Sequence, residues 1–479
     1  MNWRIRMSII PSSFKRKQHS KRISLPTYLC LRTNSKIQYQ VTSEIPAVRN
    51  VKLNKQTMIV RRQDSNSNQS LSLQTESASK FEEIQNNSQQ AVNLVLVCGQ
   101  NVCGQLGLST NIIERRKPQH LKIASESKSD EQIQYICAGA MHSCVLTRSG
   151  HVYTWGCNDD GALGRITNDI DDEYAPALCV MPEQIESLHA GDSFTVAISK
   201  SRRAYISGCF RSSEGILGLF EYKQIAEQPV VVPVNQPITQ VACGADFCLL
   251  LTETGDLYSF GNNETGQLGR HSDSSLRSIY ATWLQPLPIS YFQGHHILKI
   301  WAGGHGFFVL TQASTRRLFS CGANSFSQLG HSVKQPIHCP LEVTDFLSTD
   351  KIVKIACGLQ HTLILDCMGN VYGLGRSDDG RLGSDQTHDV TSPKQIDQLT
   401  NIVDIAAGGS VSYAINNCGQ IYSFGMGNTC QTGHGNADIF IPTQVNGKQL
   451  ENRLIQQISV GAQHTLFLVK EKQLSRSNI

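Results

Sequence analysis

The sequence predicts an all-β fold, a seven-bladed β-propeller, on three observations. A glycine turn recurs seven times at spacings of 50 to 59 residues, a hairpin pattern follows each turn, and the chain ends supply complementary halves of one unit. Periods of this size mark arrays in which each unit buries its faces only by stacking on its neighbours.

The turns begin at Gly139 (GAMH), Gly191 (GDSF), Gly244 (GADF), Gly303 (GGHG), Gly358 (GLQH), Gly408 (GGSV) and Gly461 (GAQH). Each is followed by an apolar run such as HTLILD, a turn such as TRSG or TETG, and an aromatic-rich strand such as DLYSFG. Short β-rich runs separated by glycine turns read as antiparallel hairpins, and four strands in each of seven units build a propeller. The segment NLVLVCGQNVCGQLG, Asn93–Gly107, is the second half of a repeat without its first half. QQISVGAQHTLFLVK, Gln456–Lys470, is a first half that then stops, so the two ends together make one blade and close the ring. The predicted organisation is a tail over 1–91, a propeller over 92–472 and a short tail over 473–479.

A glycine-bracketed loop follows the aromatic strand. Its glycines stand eight apart in Gly99–Gly107, Gly156–Gly164, Gly261–Gly269, Gly322–Gly330, Gly375–Gly383 and Gly425–Gly433. In GCFRSSEGILG, from Gly208 to Gly218, the loop is two residues longer. An insertion in an otherwise constant loop has no packing reason and is a candidate working element. A second departure is the 59-residue spacing before Gly303, where HSDSSLRSIYATWLQPLPISYFQGHH lengthens a connection.

Charge divides the chain. Of 43 Lys/Arg and 39 Asp/Glu, residues 1–62 take 14 of the basic residues and only one acid, Glu44, so the remainder is acidic by 38 to 29. FKRKQHSKR places Lys15, Arg16, Lys17, Lys21 and Arg22 in one cluster. That cluster is compatible with a nuclear address, with a mitochondrial transit peptide or with a solvated tail. Residues 63–91 are polar, with too few apolar side chains to offset ordering entropy, and disorder is expected there. No apolar run approaches the roughly 18 residues a membrane helix needs, so no membrane association is expected. The 16 cysteines include no C-x-x-C pair, and Cys137, Cys243 and Cys357 recur at one repeat position. Recurrence at a strand position reads as a small buried apolar residue, and many unpaired thiols suit a reducing compartment. No metal site or cofactor is expected.

The sequence has neither G-x-x-x-x-G-K-[ST] nor a strand-linked G-x-G-x-x-G, so no nucleotide site of either kind is visible. His142, His361 and His464 recur at the fourth position of the turn, and Asp192 and Asp246 fall just before it, at the second and third positions, in two others. Taken singly, each histidine suits a strand-end role. Taken together, equivalent turns project to one face of the ring, and a dispersed circle of His and Asp suits docking better than catalysis.

These turns, with NDDGALGR at Asn158–Arg165 and GKQLENR at Gly447–Arg453, resemble the regulator of chromosome condensation family over roughly residues 92–472. The resemblance implies guanine-nucleotide exchange on the small GTPase Ran without covalent chemistry. One propeller face would bind the GTPase through Asp192, Asp246, His361 and His464, with His142 a weaker candidate. A protruding β-wedge would press near the nucleotide; it matches Cys209, Phe210, Arg211, Ser212, Ser213, Glu214 and Gly215, the longer loop singled out above. The family's histone-binding loop corresponds to the segment offering Arg270 and Arg277. The partners implied are Ran, the histone dimer that carries the nucleosome's acidic patch, nucleosomal DNA and an import receptor reading the basic tail. The location implied is chromatin in the nucleus. Two departures stand out. Val102 occupies the place of an interface aspartate, and Thr432 replaces the leucine of Q-L-G. Within the wedge, moreover, Phe210 and Arg211 match the family pattern but Ser212, Ser213 and Glu214 do not match its usual acidic and amide residues. With Val102, this leaves open an alternative, a propeller scaffold without exchange activity, mitochondrial if the tail is a transit peptide.

Overall fold

The computed structural model describes residues 92–123, 131–270, 279–344, 348–385 and 388–472. The basic cluster Lys15–Arg22, the rest of the 1–91 tail, Arg277 and residues 473–479 lie outside the described residues. Seven four-stranded antiparallel sheets follow one another around a ring, as the repeat predicts. Blade 3 is representative: Ile238–Cys243, Phe247–Thr252, Leu257–Gly261 and Leu287–Pro288 pair in that order, the first strand of each blade lining a central channel.

The second strand shows why the pattern is so apolar. All six residues of Phe247–Thr252 are buried. Side chains alternate across a strand, so Cys248 and Leu250 join a core with Phe194 and Val196 of blade 2. Phe247, Leu249 and Leu251 join another with Phe307 and Val309 of blade 4. One strand therefore serves two interfaces, and no solvent-facing side remains to read as polar.

The glycine turns are close approaches. A Cβ at Gly139 would lie 2.1 Å from the His142 ring and 2.6 Å from the Gly191 carbonyl oxygen; one at Gly244 would lie 1.9 Å from the Phe247 ring. The fourth residue of the turn thus folds its ring onto the glycine, which is why both positions recur. The turns are also tied to their neighbours: the Asp192 amide donates to the Ala245 carbonyl at 2.7 Å and the Ala245 amide to Gly304 at 2.7 Å.

Closure is as predicted. Asn93–Gln100 pairs antiparallel with His464–Glu471 from Asn93↔Lys470 to Gly99↔His464, between Glu114–Leu121 outside and Arg453–Val460 inside. Val95 and Val97 pack with Leu466 and Trp155 on one side, Leu96 and Cys98 with Tyr413 and Phe467 on the other. Cys137 is buried, while Cys243 and Cys357 are half-buried on the channel wall, and burial pushes the Cys357 thiol up to about 12. Thr432, in the place of a leucine, is also fully buried, and its carbonyl accepts from the Ser423 hydroxyl at 2.7 Å.

Candidate functional site

The longer loop of blade 2 is an additional sheet. Phe210–Ser212, Gly215–Leu219 and Glu221–Tyr222 form a three-stranded antiparallel unit separate from the blade. The wedge therefore extends beyond Gly215 to Tyr222, further than the glycine spacing indicated. Ser213 and Glu214 form its exposed tip, while Arg211, Ser212 and Gly215 are half-buried.

Its base is held from three sides. The Phe210 ring is fully buried, edge-on to Phe194 at 4.8 Å and to Phe260 at 5.4 Å. From blade 1, the Asp160 carboxylate accepts from Arg211 Nη1 with both oxygens, at 2.8 and 2.9 Å. From blade 3, Asp246 Oδ1 accepts the Arg211 amide at 2.8 Å, and Glu264 accepts both the Ser213 amide, at 3.0 Å, and the Ser213 hydroxyl. Asn262 Nδ2 donates to the Arg211 carbonyl at 2.9 Å. Charge-assisted bonds of this kind are about twice as strong as neutral ones. Cys209 and Phe210, the first two residues matched to the wedge, are consequently its anchors inside the protein, and its exposed part begins beyond them.

Asp192 and Asp246 lie together at the same end of the ring, Asp192 exposed on the channel rim and Asp246 half-buried. Burial pushes the Asp246 carboxyl up to about 7, reinforced by the Asp192 charge and opposed by the Arg211 amide and guanidinium. Asp192 is raised by the walls around it and lowered by His305. With Asp160 and Glu264, the wedge base thus carries three carboxylates beside Asp192 on the rim, and Asp246 titrates near neutrality.

The three histidines are not on this surface. His142, His361 and His464 are buried, with Nε2 at 2.9 Å from Thr195 Oγ1, 2.8 Å from Ser412 Oγ and 2.8 Å from Ser143 Oγ, each in the next blade. Each hydroxyl already donates to a backbone carbonyl, of Ala162, Arg381 and Gln105 respectively. Its one proton is committed there, so the imidazole donates through Nε2. Burial lowers His142 to about 4 and His361 and His464 to about 3, which keeps them neutral. They latch blade to blade, and the docking-face expectation for them is corrected: the turn faces outward, but its fourth residue opens the second strand and points into the interface.

Arg270 is corrected in the same way. Its Nε donates to Ser259 Oγ at 3.0 Å, and Nη2 to the carbonyls of Ser259 at 3.0 Å and Thr282 at 3.1 Å, and burial depresses it to about 10. Arg165, after the equivalent glycine of blade 1, does the same to Thr154 and Asp172. These guanidiniums satisfy carbonyls of the short helices Ile279–Leu284 and Ile170–Tyr174 that have no partner within the helix. Val102 is exposed, with its carbonyl accepting the Tyr174 hydroxyl at 2.7 Å. Asp160 and Glu264 were not singled out from the sequence. Their only signal is an acid inside a bracketed loop on each side of the long one.

A propeller closed by strands from both chain ends, with one blade carrying an extra sheet clamped by carboxylates, defines a recognisable class. The RCC1-like domain family matches residues 94–467, and the chain belongs to that family. Among its members, the chain is similar to the regulators of chromosome condensation of Xenopus laevis, 35% identical over 79% of this chain and 90% of that protein, and of Homo sapiens, 35% identical over 80% and 92%. The guanine nucleotide exchange factor SRM1 of Saccharomyces cerevisiae is 29% identical over 71% of this chain and 79% of that one. Among solved structures, yeast RCC1 (Prp20) bound to Kap60 matches with a TM-score of 0.73 at 27% identity, covering 80% of this chain and 90% of that one. Prp20p of Saccharomyces cerevisiae, described with its binding properties to Gsp1p and histones, matches with a TM-score of 0.73 at 27% identity, covering 82% and 95%.

Proposed function

We propose that this chain is a guanine-nucleotide exchange factor for the small GTPase Ran, bound to chromatin in the nucleus. The observation that carries the reading is the wedge: a rigidly based, protruding sheet beside an acidic rim, in a chain similar to proteins named as exchange factors. A small GTPase holds GDP through backbone donors, a lysine and magnesium. A partner that binds the nucleotide-free form more tightly weakens nucleotide by the same factor by which nucleotide weakens it. Asp192, Asp246 and the wedge-base carboxylates steer a basic GTPase surface to the rim, which raises the encounter rate. The clamped wedge then enters the nucleotide side, and the GTP:GDP ratio decides which nucleotide returns. No bond is made or broken, and the chain needs no cofactor of its own.

Chromatin binding is assigned to the basic tail, Lys15, Arg16, Lys17, Lys21 and Arg22, with Arg277 toward the histone dimer. Tail contacts to nucleosomal DNA would be sequence-independent and weaken steeply with salt. The same tail is assigned to an import receptor, a reading supported by the similar yeast protein bound to Kap60. Ran loaded with labelled GDP tests the exchange activity: sub-stoichiometric protein is expected to accelerate release. Absence of acceleration by folded protein would overturn it.

A further inference from the structure

The wedge contains more than its clamped base. Its far half, Gly215–Tyr222, holds two non-glycine residues in or beside it in the left-handed region, Phe220 at φ 59° and Lys223 at φ 61°. Such residues persist only where their surroundings over-determine them, and they cluster at working sites. Here the surroundings come from blade 3. The Tyr222 ring stacks on Tyr280 at 5.4 Å and 12°, and Tyr280 stands edge-on to Trp283 at 5.5 Å. Gln285 Nε2 donates to the Phe220 carbonyl at 2.8 Å, and the Phe220 ring stacks on Phe260 at 6.1 Å.

Tyr280 and Trp283 belong to the helix Ile279–Leu284, and Gln285 follows it directly. The helix is fixed: Leu284 is fully buried in the core shared with Phe210, Leu217 and Leu219, and Arg270 holds the carbonyls of Thr282 and Gln285. The Glu214 carboxylate at the wedge tip is near enough to raise the Tyr280 phenol above its ordinary value. Tyr222 is nonetheless 53% exposed, so the stack contributes little to the core. A contact of that kind has orientation as its main effect.

We propose that the helix Ile279–Leu284 is a buttress for the wedge, with Tyr280 and Gln285 as positioning residues that hold its outer strand at the angle needed to displace nucleotide. The inference rests on the exchange reading above for its consequence, but not for its geometry. Tyr280 acts through Tyr222 and Gln285 through the Phe220 carbonyl, so neither has to touch the GTPase.

The test compares wild type, Tyr280→Ala and Tyr280→Phe in two measurements. The first is amide hydrogen exchange of the free protein at Leu219, Lys223 and Gln224, whose amides donate within the wedge. Tyr280→Ala is expected to speed exchange there about tenfold, with the blade-core amides of Leu249 and Leu250 unchanged and Tyr280→Phe like wild type. The second is GDP release from Ran across GTPase concentrations. The maximal rate is expected to fall about tenfold in Tyr280→Ala, with the half-saturating concentration within about twofold. Unchanged wedge amides in Tyr280→Ala, or equal loosening of the blade core, would overturn the buttress. A wild type that releases no GDP would overturn the exchange reading, and the amide measurement would still decide the buttress.

Discussion

Blades 2 and 5 start from the same turn and hairpin and end differently. In blade 5, His361 latches to Ser412 of blade 6, and the loop Gly375–Gly383 folds back compactly, burying Arg381 with its Nε on the Asp378 carbonyl at 2.9 Å. In blade 2 the fourth turn residue is Phe194, with no polar latch of its own, and the loop leaves the blade as a sheet. Polar groups of blade 5 bond within its own loop and to blade 6. Those around the blade 2 loop converge from blades 1 and 3 on a protruding element. Residues that recur in register build the ring, and residues that break register build the wedge to which exchange is assigned.

The largest effect that can break this comparison is on the ring side. His361→Ala removes a fully buried, hydrogen-bonded ring and leaves the Ser412 hydroxyl without its donor, and is expected to cost about 3 kcal/mol. Chemical denaturation measures the loss, while GDP release per folded molecule stays at the wild-type rate. A docking histidine would show the reverse. The same latches make the ring acid-sensitive. A histidine depressed on folding contributes stability that is present above its unfolded value, near 6.5, and is lost as pH falls toward the folded value, about 4 for His142 and about 3 for His361 and His464. Melting temperature should therefore decline through that window.

Arg270→Ala is next, at about 2 kcal/mol, because charged hydrogen bonds to helix-end carbonyls are lost. Histone binding by the folded fraction is expected to be unchanged, and a pull-down with the histone dimer checks it.

On the wedge side, Asp246→Asn keeps an acceptor for the Arg211 amide but removes the charge. GDP release should fall about tenfold, measured with labelled nucleotide, while stability does not fall. The sign follows from the raised carboxyl: the folded state is penalised as pH rises from the group's ordinary value of 3.8 to about 7, so above about 7 the asparagine variant should melt no lower than wild type. Wild-type association should rise from about pH 6 to about pH 8 as Asp246 ionises, and that rise should vanish in the variant. The smallest effect is Val102→Asp. An added acid at this exposed position of the closing blade should raise the association rate about twofold, more at low salt.

Much of this was legible in the sequence. Seven turns, their spacing and the split repeat at the ends determine the ring, because each is local and repeated. The wedge showed as two extra residues before Gly218. Its further strand at Glu221–Tyr222 did not, because nothing in the spacing marks a strand beyond the glycine. The histidines were misplaced by a matter of register. Asp246 at the third turn position reaches the wedge base and His361 at the fourth meets the neighbouring blade, and one residue along the chain reverses the side faced. Arg270 is assigned to the histone-binding loop by resemblance, and nothing local contradicts that, because its carbonyl partners lie 11 to 15 residues further on or back. Asp160 and Glu264 each lie 51 residues from the wedge residues they clamp, a separation that the packing of neighbouring blades brings together.

The most direct test of the account unclamps the wedge and leaves the ring alone. Release of labelled GDP from Ran is measured for wild type and for Asp160→Ala combined with Glu264→Ala. The wedge account predicts acceleration by wild type and at least about a tenfold smaller acceleration by the double variant, with melting shifted by only a few degrees. Equal acceleration by the two proteins would contradict it.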